Sequence, residues 1–281
     1  MIHSSATNGA REVGFVDGVR YLRRRTTGPS IIFVHGFCGS GDLFDVVFDS
    51  AALEDFDLIA VDLPGHGGSI ALNDGVGRVP DLFFSGDHLK GVAGLPQGKP
   101  TVWVGWSLGA IPIAEFLKED SQVNSRGVNL IGPSFAVGNQ KAIERAGDAF
   151  SKSLRSMLSS DKSALPETLL DFAEVICGRD LPLFKLALVG GASLTPLAVR
   201  RSSLSRNVDV ESFYRTLQLP LLVSMGDRDP VIDVLPAIEL VNSGSSTKSL
   251  SIYVGSGHSV FAEDCGRYSG ELAEFVNLVT R

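Results

Sequence analysis

The sequence predicts an α/β protein, with a mostly parallel central sheet, helices on both faces and a helical insertion late in the chain. Three observations carry this. Short apolar runs alternate with stretches of helical periodicity, the pattern of strands buried on both faces and joined by helical crossovers. A hairpin signal sits near the amino end. Almost ninety residues between two of the later runs hold mostly helical patterns, too many for a simple connection in a compact domain.

Residues 12–17 and 19–25 pivot on Asp17-Gly18, a dipeptide suited to a two-residue hairpin, and predict antiparallel strands at one edge. Arg23-Arg24-Arg25 closes the second strand and reads as a solvated strand end, not a phosphate patch. Residues 31–34, 58–61 and 102–104 follow as buried strands, the last running into a helix over residues 108–117. Pro112 falls near that helix's first turn, where a missing N–H costs little. Residues 128–131 form the next strand. Helices are expected over residues 140–158 and 165–176, and strands at 221–225 and 250–254 complete the sheet. Residues 1–132 and 219–281 thus form the core domain and residues 133–218 a helical cap over the carboxyl ends of the strands, where open α/β sheets bind ligands.

The 281 residues are 44% hydrophobic and 20% charged, ordinary for a soluble globular protein. A net charge of -7 argues against a nucleic-acid partner. Cys38, Cys177 and Cys265 are far apart and in no metal spacing, which suits a reducing compartment. The first eight residues show no secretory signal, so a cytoplasmic location is expected. Residues 181–199 are the most membrane-like, but Lys185, two prolines and paired glycines interrupt them, so no membrane partner is expected and a lid or core helix is the reading.

Ser107 lies in Gly105-Trp106-Ser107-Leu108-Gly109, directly after the strand run Thr101-Val102-Trp103-Val104. A serine on a sharp strand-to-helix turn needs glycine two positions before and after it, where neighbouring backbone crowds in, and the turn exposes the hydroxyl. Four more stretches each follow a predicted strand: His35-Gly36-Phe37, the loop Asp62-Leu63-Pro64-Gly65-His66-Gly67-Gly68-Ser69, Gly226-Asp227-Arg228-Asp229-Pro230, and Gly255-Ser256-Gly257-His258. With these five in order, the chain resembles the α/β-hydrolase fold superfamily over nearly its whole length outside the cap.

That resemblance implies a catalytic triad of Ser107, Asp229 and His258. His258 alone of the five histidines follows the last strand, and Asp229, held extended before Pro230, is preferred to Asp227 and Asp233, which read as surface turn or helix-cap residues. The resemblance also implies an oxyanion hole from the backbone N–H groups of Phe37 and Leu108. Gly105, Trp106 and Gly109 complete the nucleophile elbow, and Phe37, Trp106 and Phe135 are candidate substrate contacts. Phe150, Phe172, Phe184 and Phe213 join Phe135 as candidates for an apolar acyl pocket. Cys38 reads as a small packed residue, and the 62–69 loop as structural because it lacks a phosphate-cradling spacing. No metal or cofactor is expected, since neither metal-ligand spacing nor a dinucleotide fingerprint is present.

A serine at the elbow implies hydrolysis of a carboxylic ester of a small, largely apolar substrate through an acyl-serine. Gly105-Trp106-Ser107-Leu108-Gly109-Ala110 is similar to the elbow of esterases that cleave pimeloyl-carrier methyl esters. In those a carrier protein is gripped by basic residues, and Lys141, Arg145, Lys152 and Arg155 would have that task here, unless they are solvated charge balanced by Glu144 and Asp148. A carbon–carbon bond hydrolase or cofactor-free perhydrolase with the same triad, and a small-molecule receptor with slow turnover, are the alternatives.

Overall fold

The amino-terminal hairpin pairs β1 (Arg11–Val16) with β2 (Val19–Arg24). Its turn places Asp17 at φ 49° and Gly18 at φ 80°, the left-handed pair that matches the twist of two hairpin strands. The computed structural model describes residues 10–72, 85–119, 124–242 and 247–281; the terminal residues on which the missing-signal reading rests lie outside these. The remaining strands are β3 (Ser30–Val34), β4 (Asp57–Val61), β5 (Thr101–Trp106), β6 (Ser125–Ile131), a separate ribbon of β7 (Ala136–Val137) and β8 (Val208–Asp209), then β9 (Leu221–Gly226) and β10 (Lys248–Tyr253). The main sheet has the order β1-β2-β4-β3-β5-β6-β9-β10, antiparallel in the pairs β1·β2 and β2·β4 and parallel elsewhere.

Residues of β3, β4 and β5 are buried throughout, which is why they read as unbroken apolar runs. Among the described residues the α-helices of the core are α1 (Asp45–Phe48), α2 (His88–Gly94), α3 (Ala110–Glu119) and, after the insertion, those that follow β9. Trp103 pairs in register with Val128 and Val104 with Asn129, so Trp103 and Asn129 face opposite sides of the sheet. Phe116 of α3 packs on Trp103 at 4.8 Å, whereas Tyr268 reaches Asn129 Oδ1 with its hydroxyl at 2.8 Å. Helices therefore cover both faces.

The insertion between β6 and β9 contains α4 (Gln140–Arg145), α5 (Asp148–Met157), α6 (Leu165–Ile176), α7 (Pro182–Leu194), α8 (Leu197–Ser205) and α9 (Glu211–Thr216). After β9 come α10 (Leu235–Asn242), α11 (Val260–Glu263) and α12 (Cys265–Val279). Two expectations are corrected. The single helix over residues 140–158 is broken at Ala146-Gly147, because Ala146 bridges to Ile232 and Gly147 donates its N–H to Val231 O at 3.0 Å. Pairing with the loop behind Asp229 replaces a helical turn. Arg23 and Arg24 are buried at 2% and 3% exposure, not solvated. Arg23 makes a bidentate pair with Asp57 at 2.8 and 2.6 Å, and Arg24 donates to the carbonyls of Phe48 and Leu53. Nearby partners at the start of β4 and after α1 make burial affordable.

Among the described residues no single helix is long and apolar enough to cross a membrane, and α7 and α8, which together would pass by composition, are bent by 90°. α6 and α7 lie over the loops that leave β3 and β10. Phe172 meets Phe37 edge-on at 6.1 Å, Phe184 meets Phe261 at 5.6 Å, and the Ser259 hydroxyl donates to Ile176 O at 3.0 Å.

Candidate active site

β5 ends at Trp106, and a single tight turn over Ser107–Gly109 leads into α3. Ser107 has φ 55°, a left-handed conformation that an L-serine adopts at a cost and that recurs where function imposes it. Gly109 makes the turn possible, since a Cβ there would stand 2.3 Å from Val34 O on the neighbouring strand. On the other side, a Cβ on Gly36 would stand 2.7 Å from Ser107 Cβ. The chain leaving β3 therefore passes beside the serine, bringing the next residue, Phe37, to the site.

His258 and Asp229 are brought together at the ends of β10 and β9. Asp229 Oδ1 accepts the N–H groups of Val231 and Ile232 at 2.8 and 3.1 Å, which leaves Oδ2 to take His258 Nδ1 at 2.8 Å. With its Nδ1 proton so directed, a neutral imidazole carries its lone pair on Nε2. That atom is buried and has no hydrogen-bond partner. Ser107 and His258 are 7% and 1% exposed, so both are largely shielded from water. Gly132, at φ 46°, gives the pair room, because a Cβ there would stand 2.8 Å from His258 Nδ1.

Two other histidines, His35 and His66, are placed for different work. His35 Nε2 accepts the Leu63 N–H at 2.9 Å, so its proton is on Nδ1 and is donated to Gly36 O at 2.7 Å. Burial brings its pKa down to about 4, partly offset by the bond to Gly36 O. His66 is likewise held down to about 3, by burial and then by His35. Both are neutral packing groups. Asp62 organises the 62–69 loop by accepting from Arg20, Gly41 N and Gly68 N. Burial pushes the Cys38 thiol up, away from thiolate. Asp233 accepts the Leu235 N–H at the start of α10 and Asp227 the Gly255 N–H, so both serve turns and caps.

Trp106 and Phe135, two of the candidate substrate contacts, are buried. The indole of Trp106 is buried and donates to His258 O at 3.0 Å. Phe135 packs on Tyr214 at 5.7 Å, as Phe213 does at 5.3 Å. Phe172 and Phe184 are the members of the aromatic set that meet the loops of the site. Sequence reasoning missed Glu263, whose carboxylate accepts the N–H groups of Gly257 and Ser259 on either side of His258. Its only signal was a Ser-x-x-x-Glu spacing, one residue longer than a capping box. Among the described residues no group of three or more His, Cys, Asp or Glu is arranged to hold a metal ion.

Known proteins resemble the chain over most of its length. The chain is 24% identical over 266 residues to the pimeloyl-[acyl-carrier protein] methyl ester esterase of Vibrio atlanticus, covering 88% of this chain and 94% of that protein. The crystal structure of an esterase from Rhodococcus sp. ECU1013 matches with a TM-score of 0.82 at 27% identity, covering 96% of this chain and 99% of that one. A stretch of 56 residues is 46% identical to the 2-succinyl-6-hydroxy-2,4-cyclohexadiene-1-carboxylate synthase of Escherichia coli O157:H7, covering 20% of this chain and 21% of that protein. Residues 31–271 match the profile of the alpha/beta hydrolase family. With 31–271 of its 281 residues matched by that profile, the chain belongs to the alpha/beta hydrolase family.

Proposed function

We propose that this protein hydrolyses a carboxylic ester of a small, largely apolar substrate through an acyl-serine intermediate. The observation that carries the reading is the unpartnered Nε2 of His258, fixed by Asp229 and buried in the same site as a strained serine. Ser107 attacks the ester carbonyl while His258 takes its proton, and Asp229 steadies the imidazolium. The backbone N–H groups of Phe37 and Leu108 receive the oxyanion, each donor contributing roughly 3 kcal/mol. His258 then protonates the departing alkoxide and activates the water that frees the acid. Every group in this path is supplied by the chain.

Residues 133–218 act as the cap in this reading, with Phe172 and Phe184 supplying apolar surface for the acyl group. The named relatives include esterases, which supports the ester. A carrier protein is less well supported, because Lys141 is paired with Asp209 and Glu211, and Arg145 with Glu211. Lys152 and Arg155 remain exposed, a thin grip for an acidic partner.

The test is the hydrolysis of p-nitrophenyl esters from acetate to decanoate by the wild type and Ser107→Ala. Turnover that falls roughly 10⁴-fold or more in the variant supports the acyl-serine path. Folded wild type that turns over no ester in the series overturns it, and redirects attention to carbon–carbon cleavage or to a receptor.

A further inference from the structure

We propose that Glu263 is a positioning residue for His258, and that Arg179 ties this support to the helical insertion. The inference rests on the serine hydrolase reading above. His258 sits in the short loop between β10 and α11, where the N–H groups of Gly257 and Ser259 are met by a side chain in place of a strand or helix carbonyl. Buried donors of that kind must be satisfied. One carboxylate satisfies two of them: Glu263 Oε2 accepts from Gly257 N at 2.8 Å and Oε1 from Ser259 N at 3.1 Å. Glu263 is only 5% exposed. Fixing the backbone before and after His258 fixes the direction of its Cα–Cβ bond, and the Trp106 indole holds the carbonyl between them at 3.0 Å. The Asp229 contact alone leaves the ring free to swing about Nδ1; the clamp beneath it removes that freedom.

The insertion holds the same loop from above. Arg179, in the connection between α6 and α7, donates through Nη1 to Glu263 O at 2.9 Å and through Nη2 to Ser256 Oγ at 3.3 Å. Ser259 Oγ donates to Ile176 O at the end of α6. The loop is therefore clasped between core and insertion, and a shift of α6 and α7 is passed to His258 without touching substrate.

Glu263→Gln keeps the shape but offers an amide N–H₂ where an acceptor is needed, so one clamp bond is lost and two donors face each other. Active sites are counted by stoichiometric labelling of Ser107 with a fluorophosphonate, and kcat is expressed per labelled site. The expected result is a per-site kcat lower by roughly 10²-fold, the penalty for an ångström-scale misplacement, with KM little changed and the low-field Nδ1 proton signal of His258 shifted or broadened. Arg179→Ala, at an exposed position, lowers kcat less and in the same sense, again without moving KM. A purely structural role predicts fewer labelled sites with normal kcat per site. That result, or a KM effect alone in Arg179→Ala, overturns the proposal, and Arg179→Ala supplies the test if Glu263→Gln does not fold. Wild type that the probe does not label at Ser107 is a failure of the hydrolase reading instead.

Discussion

What its acceptor nitrogen is bonded to decides what a histidine can do, and His35 and His258, both carrying the proton on Nδ1, differ in how Nε2 is used. The Leu63 N–H occupies His35 Nε2, so that ring is fully engaged in holding two loops. Asp229 accepts a hydrogen bond from the Nδ1–H of His258, and the lone pair on the other nitrogen has no partner. Asp229→Asn keeps the volume but presents an amide that stabilises the wrong tautomer. We expect kcat to fall about 10⁴-fold with little change in folding, by the same logic as in other Asp-His pairs, and single-turnover kinetics with a p-nitrophenyl ester will measure it. An Asn variant within tenfold of wild type would remove Asp229 from the mechanism. The proposed triad was legible in sequence because each member follows a strand in a distinctive motif. Glu263 and Gly132 were not, since a clamp between backbone groups and a space for a ring are set by the path of the chain, which leaves little trace in residue type.

At the scale of elements, the insertion's neck depends on one carboxylate. Glu211 in α9 accepts from Lys141 and Arg145 of α4 at 2.7 Å each and from Arg215 of its own helix at 2.9 Å. Burial alone would push this carboxyl up, but the hydrogen bonds from Arg145, Lys141 and Arg215 outweigh it and bring the pKa to about 2. Glu211→Ala leaves three cations crowded without their anion, although they are partly exposed and rehydrate. The expected loss is about 1–3 kcal/mol, read from the urea midpoint, and no loss would mean that the cluster is ornamental. The strands and the helix at residues 165–176 were legible as periodic runs. The break at Ala146-Gly147 was not, because one glycine is a modest helix penalty and the deciding bond reaches Val231 in a distant part of the chain. The two-residue strands β7 and β8 are too short to show any period.

For the whole molecule, acid is the predicted weakness. His35 and His66 are neutral in the fold, with values near 4 and 3 against an ordinary 6.5. The unfolded chain binds protons that the folded chain refuses, so their contribution is intact above pH 6.5. It declines between 6.5 and about 3 to 4, by up to about 1.4 kcal/mol per pH unit for each ring. Glu211 adds to this in the same direction from its ordinary 4.5 down to about 2. Thermal melts should therefore show a plateau above pH 7 and a steep fall from pH 6 to 4, with the upper part of the fall flattened in His35→Gln if that variant folds. A melting temperature constant from pH 7 to 4 would contradict the assignment of two neutral buried rings. The ribbon of β7 and β8 pairs Ala136 with Asp209 and Val137 with Val208, joining the two ends of the insertion to each other beneath its helices. The entropy of closing the roughly seventy residues between them is thus met at the clasp rather than by the sheet. For protein engineering this makes the helices a cassette: a different set could be spliced between Val137 and Val208 without rethreading a single strand, provided that the newcomer brings its own replacements for Lys141, Arg145, Gly147, Ile176 and Arg179.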